Sequence, residues 1–481
     1  MAQKNILLGD GNAREAAREF LLAALEGRQQ FKERYEEIMN GDLPVIFGPG
    51  GEGIASTPRL QHAETSLAAI CVKLLTKKIA SESDILASAW ARFDEFAKRA
   101  GEECSAEFAD SLLRQLQTDA AAEPVHFMPN YAVSLAENVR NLDLGVVQVC
   151  ATEDILPEVK QDDWRISPNE NGIRFRIPHR QVSKMLAGES ADSFPSRRVI
   201  APEGMLDLVL REPGSGSSQK IAGAVLELEF PKFCWRVNVN ALHGAVAEEA
   251  LWLVNITMSL VRLFYPKRDG AVPLGGFSAR ENHPTLKIEP QQASITLGTA
   301  ETSPKGSHSG LQYVIGDAAK EHFDKIGLKS IAEAIYNASP KTVAERLGQG
   351  LGWLSRGRQA ESRSERFLYF FTSLEALLSS DDKGTPIGQT ISRHAAVIMF
   401  NDPHQRALLA KELQKLYGLR SSLVHTGKRN VSAAEAARTQ ELLETLYLAV
   451  LQKVKITDKF ENFSARLAEA SYGLPWLPDE N

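Results

Sequence analysis

Cysteine is scarce in this chain. Four cysteines occur in 481 residues, at Cys71, Cys104, Cys150 and Cys234. None stands in a CxxC pair and no histidine pair has zinc spacing, so neither a disulfide framework nor a structural zinc site organises the fold, and reduced thiols in a cytoplasmic protein are expected. Long apolar runs are missing as well. The most apolar stretch, Ala250 to Tyr265, is interrupted by Asn255, Ser259 and Arg262 and is too short to span a bilayer. The first ten residues lack the apolar core of a secretion signal. No membrane association is expected. Asn255-Ile-Thr257 matches a glycosylation acceptor, but it falls inside an expected buried helix and is discounted. An excess of positive charge is also absent: the net charge of −6 argues against a general nucleic-acid coat. His126, His179, His243 and His283 form no ligand spacing and read as structural or surface residues. No metal site and no cofactor are predicted.

The remaining composition, 43% apolar and 24% charged, is that of an ordinary globular protein and argues against long disordered stretches. A length of 481 residues is too much for one helical bundle, so two or three domains are expected. Charge is unevenly placed. Residues 340 to 430 hold 14 Lys+Arg against 8 Asp+Glu, a local +6 that leaves −12 on the rest of the chain. A basic C-terminal region on an acidic protein suits an anionic substrate held locally, although an excess of this size also describes a plain solvated face.

Hydrophobic periodicity predicts an amphipathic helix over 12–40 and further helices over 62–80, 82–100 and 105–120, with Ser83-Asp84 as a cap for the second of these. Between them lies a Gly/Pro-rich loop, Val45 to Ser56. A phosphate-binding loop needs Lys after its second glycine, and Ile54 follows Gly53, so a plain turn is the better reading. From about residue 125 the pattern changes. Ile173 to Ile177 alternates strictly, and Met205–Leu210, Ala224–Phe230, Trp235–Val239, Leu286–Ile288 and Ser294–Leu297 are further expected strands, with a helix over 241–264 packed on them. Asp207, Glu227 and Glu229 on neighbouring strands would suit a divalent metal. The nuclease pattern, however, wants a lysine where Glu229 stands, so outward-facing carboxylates are the plainer reading. Gly306 to Gly310 reads as a hinge. The fold class that follows is α+β: N-terminal helices over 1–124, a central mixed sheet region over 125–308, a C-terminal all-α bundle over 309–460 and a tail over 461–481.

The bundle is expected to contain helices at 316–326, 328–338, 341–356, 363–379 and 388–400. In the fourth, Phe367, Phe370, Phe371, Leu374 and Leu378 fall on one stripe. Asp402-Pro403 starts another helix, Gly418 is a natural stop, and Ser432 with Glu435 is a capping box. Near the end of this region stands Arg420-Ser-Ser-Leu-Val-His425. Arginine offers a permanently charged planar fork that fits a phosphate, and histidine moves protons near neutrality. Taken by itself, an Arg and a His five apart is also what a surface ion pair with a capping histidine looks like.

In context the segment from about 340 to 456 resembles the HEPN domains, and specifically their Apea-like branch. That family carries an Rx4–6H motif before the last long helix of an all-α bundle. The match here is Arg420 to His425, with Leu416-Tyr417 before it and Thr426-Gly427 after it. The aromatic helix with Leu374-Glu375-Ala-Leu also resembles the family. Many active members carry Asn, Asp or His directly after the arginine, whereas this chain has Ser421.

The resemblance implies a metal-independent endoribonuclease of the toxin or anti-phage type. It also implies a homodimer in which the motifs of two chains face each other over RNA. His425 would be the general acid or base, and Arg420 would neutralise the scissile phosphate. Glu375, Arg393 and Ser421 would support them, and Lys428 and Arg429 would bind neighbouring phosphates; an ordinary Glu375–Arg393 ion pair is the plain alternative. Attack by the ribose 2′-hydroxyl would leave a 2′,3′-cyclic phosphate and a 5′-hydroxyl. The N-terminal part would sense a phage-derived or small-molecule trigger. The competing expectation is a catalytically silent HEPN module used for dimerisation or regulation.

Overall fold

The computed structural model describes residues 6–35, 37, 45–47, 53–75, 82–99, 105–121, 124–159, 165–169, 172–178, 225–242, 245–265, 295–296, 313–360, 362–379, 386–427 and 430–477. They belong to two compact units. The first comprises Met1–Pro129, Thr152–Ala250 and Pro290–Ser307; the second comprises Asn130–Ala151, Leu251–Glu289 and His308–Asn481.

In the first unit, helices α1 (Ile6–Gly9), α2 (Gly11–Glu33), α3 (Pro58–Leu74), α4 (Glu82–Arg99) and α5 (Ser105–Ala121) enclose one apolar core. Side-chain oxygens start two of them: Asp10 accepts from the Ala13 amide, and Thr57 accepts from the Leu60 amide just ahead of Pro58. Phe20, Leu67, Phe93, Phe96 and Leu113 are fully buried, and Trp90 meets Phe20 edge-on at 5.1 Å. The Gly/Pro-rich stretch is not all loop. Val45–Phe47 and Gly53–Ala55 pair antiparallel, because the directly opposed Ile46 and Ile54 both pack on that core.

Two antiparallel groups of strands follow in this unit. Val125–Pro129 lies between Phe233–Asn238 and Ile295–Thr296, and Gly172–Pro178 lies between Arg165–Asn169 and Val225–Pro231. The register sets Arg176 opposite Glu227 and Arg174 opposite Glu229. The expected strands Met205–Leu210 (with Asp207) and Leu286–Ile288, and the expected hinge at 306–310, lie outside the described residues, as do Cys104, His179, His243 and His283.

Among the described residues the second unit is helical apart from a parallel pair, Val133–Leu135 with Tyr313–Ile315, and a hairpin, Asn141–Asp143 with Val147–Ala151. Its helices are α6 (Val246–Phe264, from Leu251 onward), α7 (Asp317–Lys325), α8 (Leu328–Tyr336), α9 (Val343–Gln359), α10 (Arg363–Leu378), α11 (Ile387–Met399), α12 (Pro403–Thr426), α13 (Ala433–Lys453) and α14 (Phe460–Ala470). The stripe of α10 is buried throughout, and each of its Phe side chains contributes about 1.5–3 kcal/mol of burial. The Tyr447 hydroxyl crosses into a notch on α9: it bonds Ser373, and a Cβ on Gly350 would lie 1.7 Å from it. Ser432 and Glu435 form the expected capping box. All of α14 but its first residue falls among the residues set apart as a tail, and its Phe460, Phe463 and Leu467 are buried.

Asn255 and Thr257 are buried inside α6, where Thr257 meets the Tyr336 hydroxyl at 2.6 Å, so neither is open to modification. A charged cluster ties three helices together. Glu444 of α13 accepts from Arg358 of α9 at 2.7 Å and stands 3.6 Å from Arg262 of α6, with all three side chains at most 15% exposed. The coarse architecture is α+β, with helices predominating and a helical C-terminal region.

Candidate functional site

Helix α12 positions the Arg–His pair. Asp402 caps its start by accepting from the Gln405 amide, Pro403 opens the first turn, and Leu409, Leu413, Leu416 and Leu423 form its buried side. Gly418 does not stop it. The helix runs on for eight residues because Leu416 and Leu423 bury themselves on either side of this exposed glycine. An interior glycine costs only about 1 kcal/mol relative to alanine, which that packing offsets. The stop is Gly427, which takes the left-handed conformation at φ +66°.

Arg420 and His425 therefore sit on one regular helix, about 140° apart around the axis and about 7.5 Å apart along it. Arg420 turns inward. Its Nη2 donates to Glu375 Oε2 of α10 at 3.0 Å, and the two side chains are 24% and 22% exposed. The guanidinium carbon lies 5.9 Å from the centre of the Tyr417 ring, one turn back on α12. Tyr417 in turn lies edge-on to Phe371 at 6.3 Å and against Gly388 at the start of α11, where a Cβ would stand 2.6 Å from the ring. His425 is exposed on the last turn, next to Val424, an exposed apolar residue.

Burial holds the Glu375 carboxyl above its usual range, although the adjacent Arg420 pulls it the other way. The Arg420 bond is the one side-chain hydrogen bond of Glu375 among the described residues. The expected Glu375–Arg393 ion pair is not formed: Arg393 is exposed on α11 and pairs with no carboxylate among the described residues. Ser421 is half-buried beside Arg420, and Lys428 and Arg429 lie outside the described residues.

The geometry thus joins Arg420 to Glu375 and leaves His425 apart. One neighbour, Tyr417, was not assigned to the site from sequence, although it carries a readable signal, since residues three apart on a helix share a face. Elsewhere in the second unit, on α11, stands the buried His394. It is 4% exposed, its Nδ1 has no partner, and its other ring nitrogen bonds the Leu378 carbonyl at the end of α10; burial is the main cause that pushes its pKa down. Among the described residues no group of His, Cys, Asp or Glu is arranged to hold a metal ion, and no helix is long and apolar enough to cross a membrane. No protein-family model, curated protein or solved structure matches the chain.

Proposed function

We propose that this chain is a metal-independent endoribonuclease of the HEPN kind that acts as a homodimer, in which the first unit restrains the nuclease until a trigger arrives. One observation carries the reading: a guanidinium on α12 is held by a half-buried carboxylate while an exposed histidine follows on the same helix. A fixed cation suits the charge that builds on phosphorus, and an exposed imidazole suits proton transfer at the ribose. Within one chain the two groups point about 140° apart, so one phosphate reaches both only when a second copy supplies the missing partner. With two copies facing each other, one His425 takes the 2′-hydroxyl proton and the other protonates the 5′ leaving oxygen. Exposed Val424 beside His425 gives such an assembly apolar surface to bury.

The test is cleavage of total cellular RNA in EDTA by the full chain, with and without phage-infected lysate as a source of trigger. Cutting should leave 2′,3′-cyclic phosphates. Replacing His425 by Ala should slow it by about 10²–10⁴-fold, and replacing Arg420 by Ala by about 10²–10³-fold. Cutting that survives both substitutions would overturn the reading. The second reading, a silent HEPN module, draws on the same ion pair, since Glu375 already compensates the Arg420 charge. It predicts a dimer that cuts no RNA under any of these conditions.

A further inference from the structure

A guanidinium has five N–H donors in a rigid plane. Arg420 uses one of them, on Nη2, for Glu375, and its side chain makes no other hydrogen bond among the described residues. Its guanidinium carbon lies over the Tyr417 ring, 5.9 Å from the centre, and that ring is itself fixed between Phe371 and the bare backbone of Gly388. The side chain is thus held through Nη2 and beside the Tyr417 ring, while its remaining donors bond nothing among the described residues. Glu375 comes from α10, 45 residues away in sequence, on a helix anchored by its buried phenylalanines. Its carboxylate is consequently a rigid reference for a long side chain that would otherwise sample many rotamers.

We infer that Glu375 is the positioning residue of this site: it sets the direction in which the Arg420 fork meets a phosphodiester, acting through Arg420 and touching no substrate. The inference rests on the ribonuclease reading and names what fixes its cation. Reach matters here more than charge. Gln keeps an oxygen acceptor at the same distance, whereas Asp keeps the charge but is one methylene short of a bond already at 3.0 Å. Positioning therefore ranks Glu375→Gln above Glu375→Asp, and a purely electrostatic role ranks them the other way.

The experiment uses the full-length protein and its Glu375→Gln, Glu375→Asp, Glu375→Ala, Arg420→Ala and Arg420→Ala/Glu375→Ala forms, with thermal melting as the check on folding. One arm measures kcat and KM on a fluorogenic single-stranded RNA in EDTA. Expected are a kcat loss of about tenfold for Gln and about a hundredfold for Asp and Ala, with KM changed by less than about threefold, since misplacement of about an ångström costs on that order. The double variant should be no slower than Arg420→Ala, because both changes remove one interaction. The other arm needs no cleavage: phenylglyoxal labelling of Arg420, read by peptide mass spectrometry, should quicken severalfold in the Asp and Ala forms and little in the Gln form. Asp outperforming Gln, multiplicative losses in the double variant, or unchanged labelling would each overturn the inference. If the wild type cuts no RNA, the ribonuclease reading fails on its own, and the labelling arm alone decides whether Glu375 fixes Arg420.

Discussion

A buried imidazole ties stability to pH. Burial depresses the pKa of His394 below the ordinary 6.5, so its neutral form is favoured in the fold and its protonated form in the unfolded chain. The stability it contributes is complete above about pH 6.5 and is lost as the pH falls below that value. His126, fully buried and pushed down to about 3, acts with the same sign in the first unit. Urea midpoints followed by circular dichroism should therefore fall on acidification from neutral pH, and His394→Gln should remove part of that slope; an unchanged slope would place the effect elsewhere. The shared carboxylate Glu444 gives a larger effect. Glu444→Ala takes away a counter-charge shared by Arg262 and Arg358, whose side chains are at most 8% exposed, and should cost up to about 3–5 kcal/mol in a denaturation experiment.

Glycines on two neighbouring helices should respond to the same substitution in opposite directions. Gly418 is exposed inside α12 with no heavy atom within 4 Å of an added Cβ, so Gly418→Ala should stabilise by up to about 1 kcal/mol. At Gly388 the added methyl meets the Tyr417 ring, so Gly388→Ala should destabilise by about 1–3 kcal/mol and, on the proposed ribonuclease reading, lower cleavage by displacing the ring beside Arg420. Melting temperatures of the two variants, side by side, check both signs. These residues also show what was legible. The helix over 363–378 with its phenylalanine stripe, the Asp402-Pro403 start and the Ser432 capping box were all readable, because each depends on residues within a turn or two. Gly418 was misread as a stop because the packing of Leu416 and Leu423 outweighs the preference of one exposed residue. The bond between Arg420 and Glu375 had no local signature: the burial of α10 and α12 against a common core brings the two together, and spacing along the chain carries no trace of that.

For the whole molecule the proposed function turns on how many chains complete one site. A homodimer sharing its motifs predicts that a fivefold excess of His425→Ala chains, mixed and allowed to exchange, suppresses wild-type cleavage well beyond simple dilution. Equal activity per wild-type chain at every mixing ratio would mean that each chain works alone. The first unit was read only in part. Its helices and the strand over 172–178 follow ordinary periodicity, but the pairing of Val45–Phe47 with Gly53–Ala55 was hidden under glycine and proline, the residues that usually mark turns. The Arg176–Glu227 and Arg174–Glu229 registry was hidden too, since a sequence gives alternation without saying which strand lies alongside.

The left-handed stop at Gly427 leaves His425 in the terminal turn of α12. The terminal turn of a helix opens more readily than its interior, and in the last turn of α12 only Leu423 is buried. The amides of Val424, His425 and Thr426 should accordingly exchange with deuterium far faster than those of Leu413 and Leu416 in the isolated chain. Covering that end with a second chain or with RNA should slow them selectively, so exchange at three consecutive amides would register the moment at which the histidine acquires a fixed position.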